Sequence, residues 1–245
     1  MIVLNNVSFS YPGTEHPVFQ QIHLSIEPLS WLVIAGPDGS GKTTLGKLLK
    51  GLLKPDSGSI TIEGGPAGSL TTYVGYVGGD PADLFVGTTV EEDVVFGLET
   101  LRLCHEEIEY HLRRSLQWVG LSGMEKRLTH TLSGGERQKL ALASVLATGA
   151  RVLILDEAFT MLDRPTTRAM RRLINSLRTK PGLTVIEITH DFSDNVHVDR
   201  VVFLCDHRIG FDGSYQDFLD TPLGRTWTSL TGGVTALRNA LSTQG

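Results

Sequence analysis

The 245-residue sequence has few cysteines, no long apolar run and no basic tract. Its two cysteines, Cys104 and Cys205, show neither a CxxC spacing nor a histidine pattern, which excludes a cysteine-based metal site and predicts a reducing compartment. No apolar run approaches the roughly 20 residues that cross a bilayer, so we expect membrane association only through a partner. The N-terminus shows no charged region followed by an apolar stretch, so we expect no signal peptide and a cytoplasmic location.

The charge balance is acidic, with 22 Lys and Arg against 27 Asp and Glu and a net charge of −5. This balance argues against a nucleic-acid partner, because such proteins carry a basic surface. The length is sufficient for one large domain or two small ones with a core that needs no disulfide or metal.

Two kinds of strand pattern occur along the chain. Residues 2–9 and 22–26 alternate between apolar and polar side chains, which predicts antiparallel strands with one solvated face. Residues 31–35, 151–155 and 183–188 are almost continuously apolar, which is typical of parallel strands covered on both faces. We therefore predict an α/β fold with a central parallel sheet and an antiparallel β-subdomain.

Helical periodicity appears in two further stretches. One apolar stripe has i, i+4, i+8 and i+11 spacing and places a helical subdomain at about residues 80–130: Ile108, Leu112, Leu116 and Val119. A second helix should begin near Pro165 and end at Lys180 to Gly182. Its apolar face is formed by Met170, Leu173, Ile174 and Leu177. The last thirty residues are the least patterned.

A phosphate-binding loop follows the strand at 31–35, where residues 36–44 read GPDGSGKTT and satisfy G-x-x-x-x-G-K-[ST]. Glycines let backbone N–H groups turn toward phosphate oxygens, and the next helix directs its positive N-terminus at them. Lys42 should reach the β- and γ-phosphates of ATP, and Thr43 should supply a hydroxyl to Mg²⁺. The other predicted ATP contacts in this loop are Gly36, Asp38, Gly39, Ser40, Gly41 and Thr44. A glycine-rich turn without a ligand is the alternative.

Two adjacent carboxylates, Asp156 and Glu157, end the strand that begins at residue 151. At such strand ends the loops of an open α/β sheet meet the ligand. Asp156 would hold Mg²⁺ through water, and Glu157 would act as the general base on the attacking water. The alternative is an acidic cap on the next helix.

A second anion-binding helix start is predicted at residues 132–138, which read LSGGERQ. The order of this motif, between the phosphate loop and Asp156, resembles that of the ABC ATPase family over residues 1–215, with 216–245 as a short tail. The resemblance implies a P-loop NTPase with a RecA-like core. It also implies a head-to-tail dimer, in which a signature segment acts on the partner's ATP: Ser133, Gly134, Gly135 and Glu136. An ordinary serine N-cap is the alternative for this motif.

Three single residues match further family positions. Tyr11 resembles the aromatic residue that stacks on adenine, although a tyrosine before proline is also a turn residue. Asp163 resembles the D-loop aspartate, although it would also make a plain N-cap. His190, in Ile-Thr-His-Asp, resembles the switch histidine that contacts the γ-phosphate.

Two positions depart from the family pattern. Gly79 occupies the position of the Q-loop glutamine, which normally touches Mg²⁺ or water beside the transmembrane contact. Asp38 stands where asparagine is more usual and adds a negative charge near the phosphates, which should weaken ATP binding unless it is neutralised. A catalytically weakened regulatory subunit of a heterodimer is therefore an alternative function.

The stretch from Asp80 to Gly97 resembles the energy-coupling-factor and cobalt-type importer ATPases. The resemblance implies an ATPase on the inner face of the membrane that energises an importer of vitamins or metal ions through a transmembrane subunit. Its partner ATPase would be an identical or a different chain. A soluble ABC ATPase acting on DNA or ribosomes is a rival, but such proteins usually carry a coiled-coil insertion or a duplicated cassette, and this sequence has neither.

Overall fold

The structure is a computed structural model that describes residues 1–62, 73–79, 85–179, 182–192 and 195–229. The chain divides into two units, Met1–Pro66 with Val185–Gly245, and Ala67–Thr184. Several predictions fall outside the described residues: the start of the helical subdomain at 80–84, the helix end at Lys180 and Pro181, and the tail beyond 229.

The strands are β1 (Ile2–Phe9), β2 (Phe19–Ile26), β3 (Trp31–Ala35), β4 (Ser57–Ile62), β5 (Val74–Gly78), β6 (Val152–Asp156), β7 (Thr184–Ile188), β8 (Arg200–Cys205) and β9 (Arg208–Ser214). The helices are α1 (Lys42–Lys50), α2 (Val90–Glu99), α3 (His105–Val119), α4 (Gly134–Ala147), α5 (Arg164–Thr179), α6 (Tyr215–Asp220) and α7 (Pro222–Ser229). A single 3₁₀ turn, Thr129–Thr131, precedes α4.

An antiparallel sheet in the first unit has the strand order β2-β1-β4. It confirms the strands predicted from alternation at 2–9 and 22–26. The inward face of β1 changes phase between Leu4 and Val7, because Asn6 has a φ of 56° and the register shifts there. This bulge keeps both apolar side chains buried.

The first unit also contains parallel strands. Strand β3 pairs parallel with β7 on one side and with β8 on the other, and β9 adds antiparallel to β8. All five residues of β3 and of β7 are buried, as their almost continuously apolar pattern predicts, and in β7 the buried residues include Thr184 and Glu187. Ile34 is opposite Ile188, so the loops after β3 and β7 leave the sheet at the same edge.

The second unit combines β5 and β6, which pair in parallel, with α2, α3, α4 and α5. Helices α2 and α3 pack against α4, and the predicted stripe of α3 buries Leu116 and Val119. Helix α5 starts at Arg164, directly before Pro165, as predicted. Of its predicted apolar face, Met170, Ile174 and Leu177 are buried and Leu173 is half-buried.

Candidate functional site

The predicted site residues divide between the two units. The first unit holds Tyr11, the phosphate-binding loop at 36–44 and His190, and the second holds the signature segment at 133–136 with Asp156, Glu157 and Asp163. Each group has its own local geometry.

The phosphate-binding loop turns directly into α1. Gly41 precedes the helix with a φ of 94°, and a Cβ at that position would lie 2.6 Å from side-chain atoms of both Val18 and Phe19. Only glycine therefore fits this turn. No side chain caps α1 and no acidic residue occupies its first turn, so its N–H groups and positive end suit an anion.

Lys42 is held within its own loop. Its side chain is buried, and Nζ donates to the carbonyl oxygens of Gly36 and Pro37, each at 2.9 Å. Its ammonium also lies 3.9 Å from the Asp38 carboxylate. The cation is therefore already partly removed from water at the centre of the loop.

Polar side chains converge around the same loop. The Tyr11 hydroxyl lies 3.1 Å from Thr44 Oγ1, and the Tyr11 ring packs edge-on against Phe9. The Ser40 hydroxyl is buried and has no hydrogen-bond partner among the described residues. A buried polar atom without a partner inside a loop of N–H donors is the arrangement expected where a ligand oxygen binds. Thr43, the second residue of α1, is exposed.

His190 follows β7 on an exposed loop. The Thr189 N–H donates to the Ile34 carbonyl at 3.3 Å, so this loop begins beside the end of β3, where the phosphate-binding loop also starts. The Asp191 N–H donates to the Thr189 hydroxyl at 3.1 Å and turns the chain after the histidine. The first unit thus places His190 and the phosphate-binding loop at adjacent strand ends.

Asp156 ends β6 in the second unit and is only 5% exposed. The Tyr76 hydroxyl donates to Asp156 Oδ2, and the Gly79 N–H donates to the Asp156 carbonyl at 3.0 Å. Strand β5 therefore contacts both the side chain and the backbone of this aspartate.

Glu157 adopts an unusual backbone conformation with a φ of 52°, which non-glycine residues rarely adopt. The Thr160 hydroxyl is within hydrogen-bonding distance of both Glu157 Oε2, at 3.0 Å, and the Glu157 carbonyl, at 2.9 Å. Positive-φ residues cluster at functional sites, where surrounding contacts maintain the strain.

Asp163 caps α5, which is the alternative that the sequence offers for this residue. Its Oδ1 accepts from the Thr166 N–H at 2.8 Å, and hydrogen bonds from the Thr166 side chain and backbone lower the pKa of Asp163. A cap and a D-loop role are compatible, because capping uses one carboxylate oxygen.

Ser133 and Glu136 form a capping box at the start of α4. The Ser133 N–H and hydroxyl both contact Glu136 Oε2 at 2.8 Å, and Arg127 donates to Oε1 at 2.8 Å. Hydrogen bonds from the Ser133 backbone and side chain, followed by Arg127, lower the pKa of Glu136. A Cβ on Gly135 would lie 3.2 Å from the Thr166 side chain, so the signature segment adjoins the start of α5.

The sequence profile described as "ABC transporter" matches residues 19–160. The chain belongs to the ABC transporter family. The match spans the phosphate-binding loop, the signature segment and Asp156, and it confirms the family predicted from the order of these motifs.

Curated relatives of this ABC transporter chain are named energy-coupling factor transporter ATP-binding protein EcfA1. The relative from Thermotoga maritima is 40% identical over 221 residues, which are 89% of this chain and 84% of the relative. The relative from Fusobacterium nucleatum is 40% identical over 227 residues, 90% of this chain and 85% of the relative. The predicted resemblance to the energy-coupling-factor ATPases is therefore confirmed.

Solved structures give the same fold. The structure of cbiO1 from Clostridium perfringens, described as part of the ABC transporter complex cbiONQ, has a TM-score of 0.81 and 26% identity, covering 94% of this chain and 98% of its own. A dimeric ATP-binding cassette in a post-hydrolysis state, bound to ADP and Pi, has a TM-score of 0.74 and 25% identity, covering 87% and 98%. The P-loop NTPase fold is confirmed. Within the described part of this ABC transporter chain, no helix is long and apolar enough to cross a membrane.

Two features of this ABC transporter chain were not anticipated from its sequence. Tyr76 contacts Asp156, although the two residues are 80 positions apart. The buried Asp93 of α2 accepts from the N–H groups of Val86 and Gly87, at 3.0 and 3.3 Å, and from the Ser144 hydroxyl of α4, at 2.9 Å. The sequence did contain a signal for Asp93. This residue is polar, whereas the other inward positions of α2 are apolar.

Proposed function

We propose that this chain binds and hydrolyses ATP to energise an importer of the energy-coupling-factor type that carries vitamins or metal ions. The single observation that carries this function is 40% identity across nearly the whole chain to ATP-binding proteins of such transporters. The phosphate-binding loop and the acidic strand end at Asp156 and Glu157 support the ATPase activity.

ATP binding would use residues of the first unit. The N–H groups of the loop and of the α1 N-terminus surround the phosphates, and Tyr11 stacks on the adenine. Lys42 exchanges its contacts with the Gly36 and Pro37 carbonyls for phosphate oxygens. Because its ammonium is already largely buried, this exchange costs little further desolvation. His190 contacts the γ-phosphate.

The proposed Mg²⁺ donors are the Thr43 hydroxyl of the first unit and the Asp156 carboxylate of the second, both oxygen atoms of the kind that this ion prefers. Among the described residues no three His, Cys, Asp or Glu side chains form a metal site, which suits an ion held mainly by phosphate oxygens and water. When bound, Mg²⁺ neutralises charge on the phosphates. Glu157 orients the attacking water and accepts its proton.

Two subunits would close over two ATP molecules, so that Ser133, Gly134, Gly135 and Glu136 of one subunit act on the ATP of the other. Asp163 would contact the opposite site through the D-loop. Closure and reopening would drive a transmembrane subunit at the cytoplasmic face of the membrane. The partner ATPase is either a second copy or a related chain.

The test is steady-state ATP hydrolysis by the purified chain with Mg²⁺, compared with its Glu157→Gln variant. We expect turnover in the wild type, loss of turnover in the variant, and an ATP-trapped dimer of the variant on gel filtration. A variant that stays monomeric in saturating ATP would contradict the dimer mechanism.

A regulatory subunit of a heterodimer is the second candidate, favoured by Gly79 and by the Asp38 carboxylate 3.9 Å from Lys42. Tight ATP binding without turnover in the wild type would support this candidate. Robust hydrolysis by the isolated homodimer would exclude it.

A further inference from the structure

Tyr76 and Asp156 lie on neighbouring parallel strands. The β5 and β6 register places Tyr76 opposite Ile154 and Gly78 opposite Asp156. Residues two apart on a strand share a face, so the Tyr76 side chain and the Gly78 position lie on the same side of β5. The Tyr76 ring therefore has to pass Gly78 to reach the aspartate.

Gly78 leaves the space in which the Tyr76 ring lies. A Cβ at position 78 would be 2.8 Å from Tyr76 Cε1 and 3.6 Å from Asp156 Cβ. A real Cβ does not approach another carbon as closely as 2.8 Å, so a larger residue would displace the ring. The absence of a side chain at position 78 is thus linked to the contact between Tyr76 and Asp156.

The contact is made to a buried carboxyl group. Asp156 is 5% exposed, and a hydrogen bond in such surroundings is electrostatically stronger than one in water. Between Val74 and Gly79, the only side chain with a polar group is that of Tyr76. The end of β5, where a Q-loop glutamine was expected, thus brings a phenol hydroxyl to the carboxylate.

We propose that Tyr76 is a positioning residue, whose hydroxyl orients the Asp156 carboxylate, through Oδ2, for magnesium binding. The Tyr76 ring reaches this carboxylate because Gly78 has no side chain. Because Asp156 holds magnesium, through water, only under the proposed function, the role of Tyr76 rests on that function. Hydrogen-bond partners of metal ligands typically change metal affinity by about 10–100-fold when they are removed.

The decisive variant is Tyr76→Phe in the full chain, which removes only the hydroxyl. Mn²⁺ serves as the probe for the magnesium site, and its affinity for the ATP-bound protein is measured by electron paramagnetic resonance. ATP affinity in EDTA is measured separately. We expect Mn²⁺ affinity to fall about 10-fold or more while ATP affinity in EDTA stays unchanged. Mn²⁺ affinity within twofold of wild type would overturn the role of Tyr76.

Gly78→Ala provides a second, independent route. It keeps the hydroxyl but displaces the ring, so it should reproduce the loss of Mn²⁺ affinity, and the double variant should show no further loss. If Tyr76→Phe does not fold, Gly78→Ala alone tests the proposal. Additive losses of Mn²⁺ affinity in the double variant would overturn the link between Gly78 and Tyr76. The matched control is Tyr110→Phe, because this exposed tyrosine of α3 loses a hydroxyl bonded to Arg114. It should bind Mn²⁺ as the wild type does.

The two failures are distinguishable. A wild-type protein that binds no Mn²⁺ in the presence of ATP would contradict the proposed function itself. Normal wild-type binding with an unaffected Tyr76→Phe variant would contradict only the role of Tyr76.

Discussion

Lys42 Nζ lies 3.9 Å from Asp38 Oδ1, within a loop whose carbonyl groups also accept from the same ammonium. The lysine side chain is 9% exposed and the aspartate side chain 81% exposed. The negative charge therefore faces solvent at the entrance of the loop, while the positive charge lies inside it. If the loop binds ATP as proposed, we expect this carboxylate to repel the approaching phosphates.

Asp38→Asn should raise ATP affinity. The change removes a negative charge near the phosphates, and because the carboxylate is exposed we expect a gain of only about 1.4- to 5-fold, which corresponds to about 0.2–1 kcal/mol for an exposed charge pair. The gain should shrink at high salt. Titration calorimetry at low and high NaCl checks both points, with the exposed Glu99→Gln as the control for net charge. Weaker ATP binding by Asp38→Asn would show that the carboxylate helps the loop to bind ATP.

Ser133→Ala should affect both stability and function. Loss of the cap on α4 should lower the free energy of unfolding by about 1 kcal/mol. Thr89→Ala is the matched control, because Thr89 and Glu92 form the same kind of capping box on α2 in the same unit. Urea unfolding should show similar losses in both variants, whereas only Ser133→Ala should lose ATP-dependent dimerisation. Equal ATP-dependent dimerisation in the two variants would show that Ser133 acts only as a helix cap.

Glu136 should make the stability dependent on pH. Its pKa is lowered below the ordinary 4.5 by the hydrogen bonds from Ser133 and by Arg127. A carboxyl group whose pKa is lower in the folded state stabilises the fold fully at pH values above its pKa in the unfolded chain. This stabilisation is lost as the pH falls through the pKa of the folded state. The difference in unfolding free energy between wild type and Glu136→Gln should therefore be largest above about pH 5 and shrink in more acidic buffer. A constant Glu136→Gln difference between pH 3 and 7 would refute the linkage.

Thr160→Val should slow hydrolysis without weakening ATP binding. The Thr160 hydroxyl lies 3.0 Å from Glu157 Oε2, so its loss leaves the proposed base less well oriented. A hydrogen bond to a charged group contributes about 1.5–3 kcal/mol, which corresponds to a reduction in kcat of roughly 10- to 150-fold. Thr160→Ser keeps the hydroxyl and should restore kcat. A raised KM with unchanged kcat would instead indicate a role in binding.

The sequence predicted those parts of the fold that depend on local pattern. The buried strands at 31–35, 152–156 and 184–188 follow from nearly continuous apolar runs, and the start of α5 follows from Pro165. Strand β5 was not predicted, because glycines at 75 and 78 weaken strand propensity. Its place depends on pairing with β6, far along the chain.

The candidate site was predicted to a similar extent. Motif spacing identified the phosphate-binding loop and the family, because these residues lie close together in sequence. The positive φ of Glu157 and the contact between Tyr76 and Asp156 could not be predicted, since they arise from tertiary packing and strand register. The roles of the individual site residues remain predictions.

Gly79→Gln should leave turnover nearly unchanged. Gly79 has a φ of 56°, and a Cβ there would find no atom of the described residues within 4 Å, so a glutamine there costs about 1–2 kcal/mol of backbone strain. Because Tyr76 already contacts Asp156, the amide should add little in the wild-type background, whereas it should partly restore Mn²⁺ affinity to Tyr76→Phe. Gly79→Ala carries the same strain without an amide and is the control. If Gly79→Gln alone raises turnover more than tenfold, the missing glutamine limits hydrolysis and Tyr76 does not replace it.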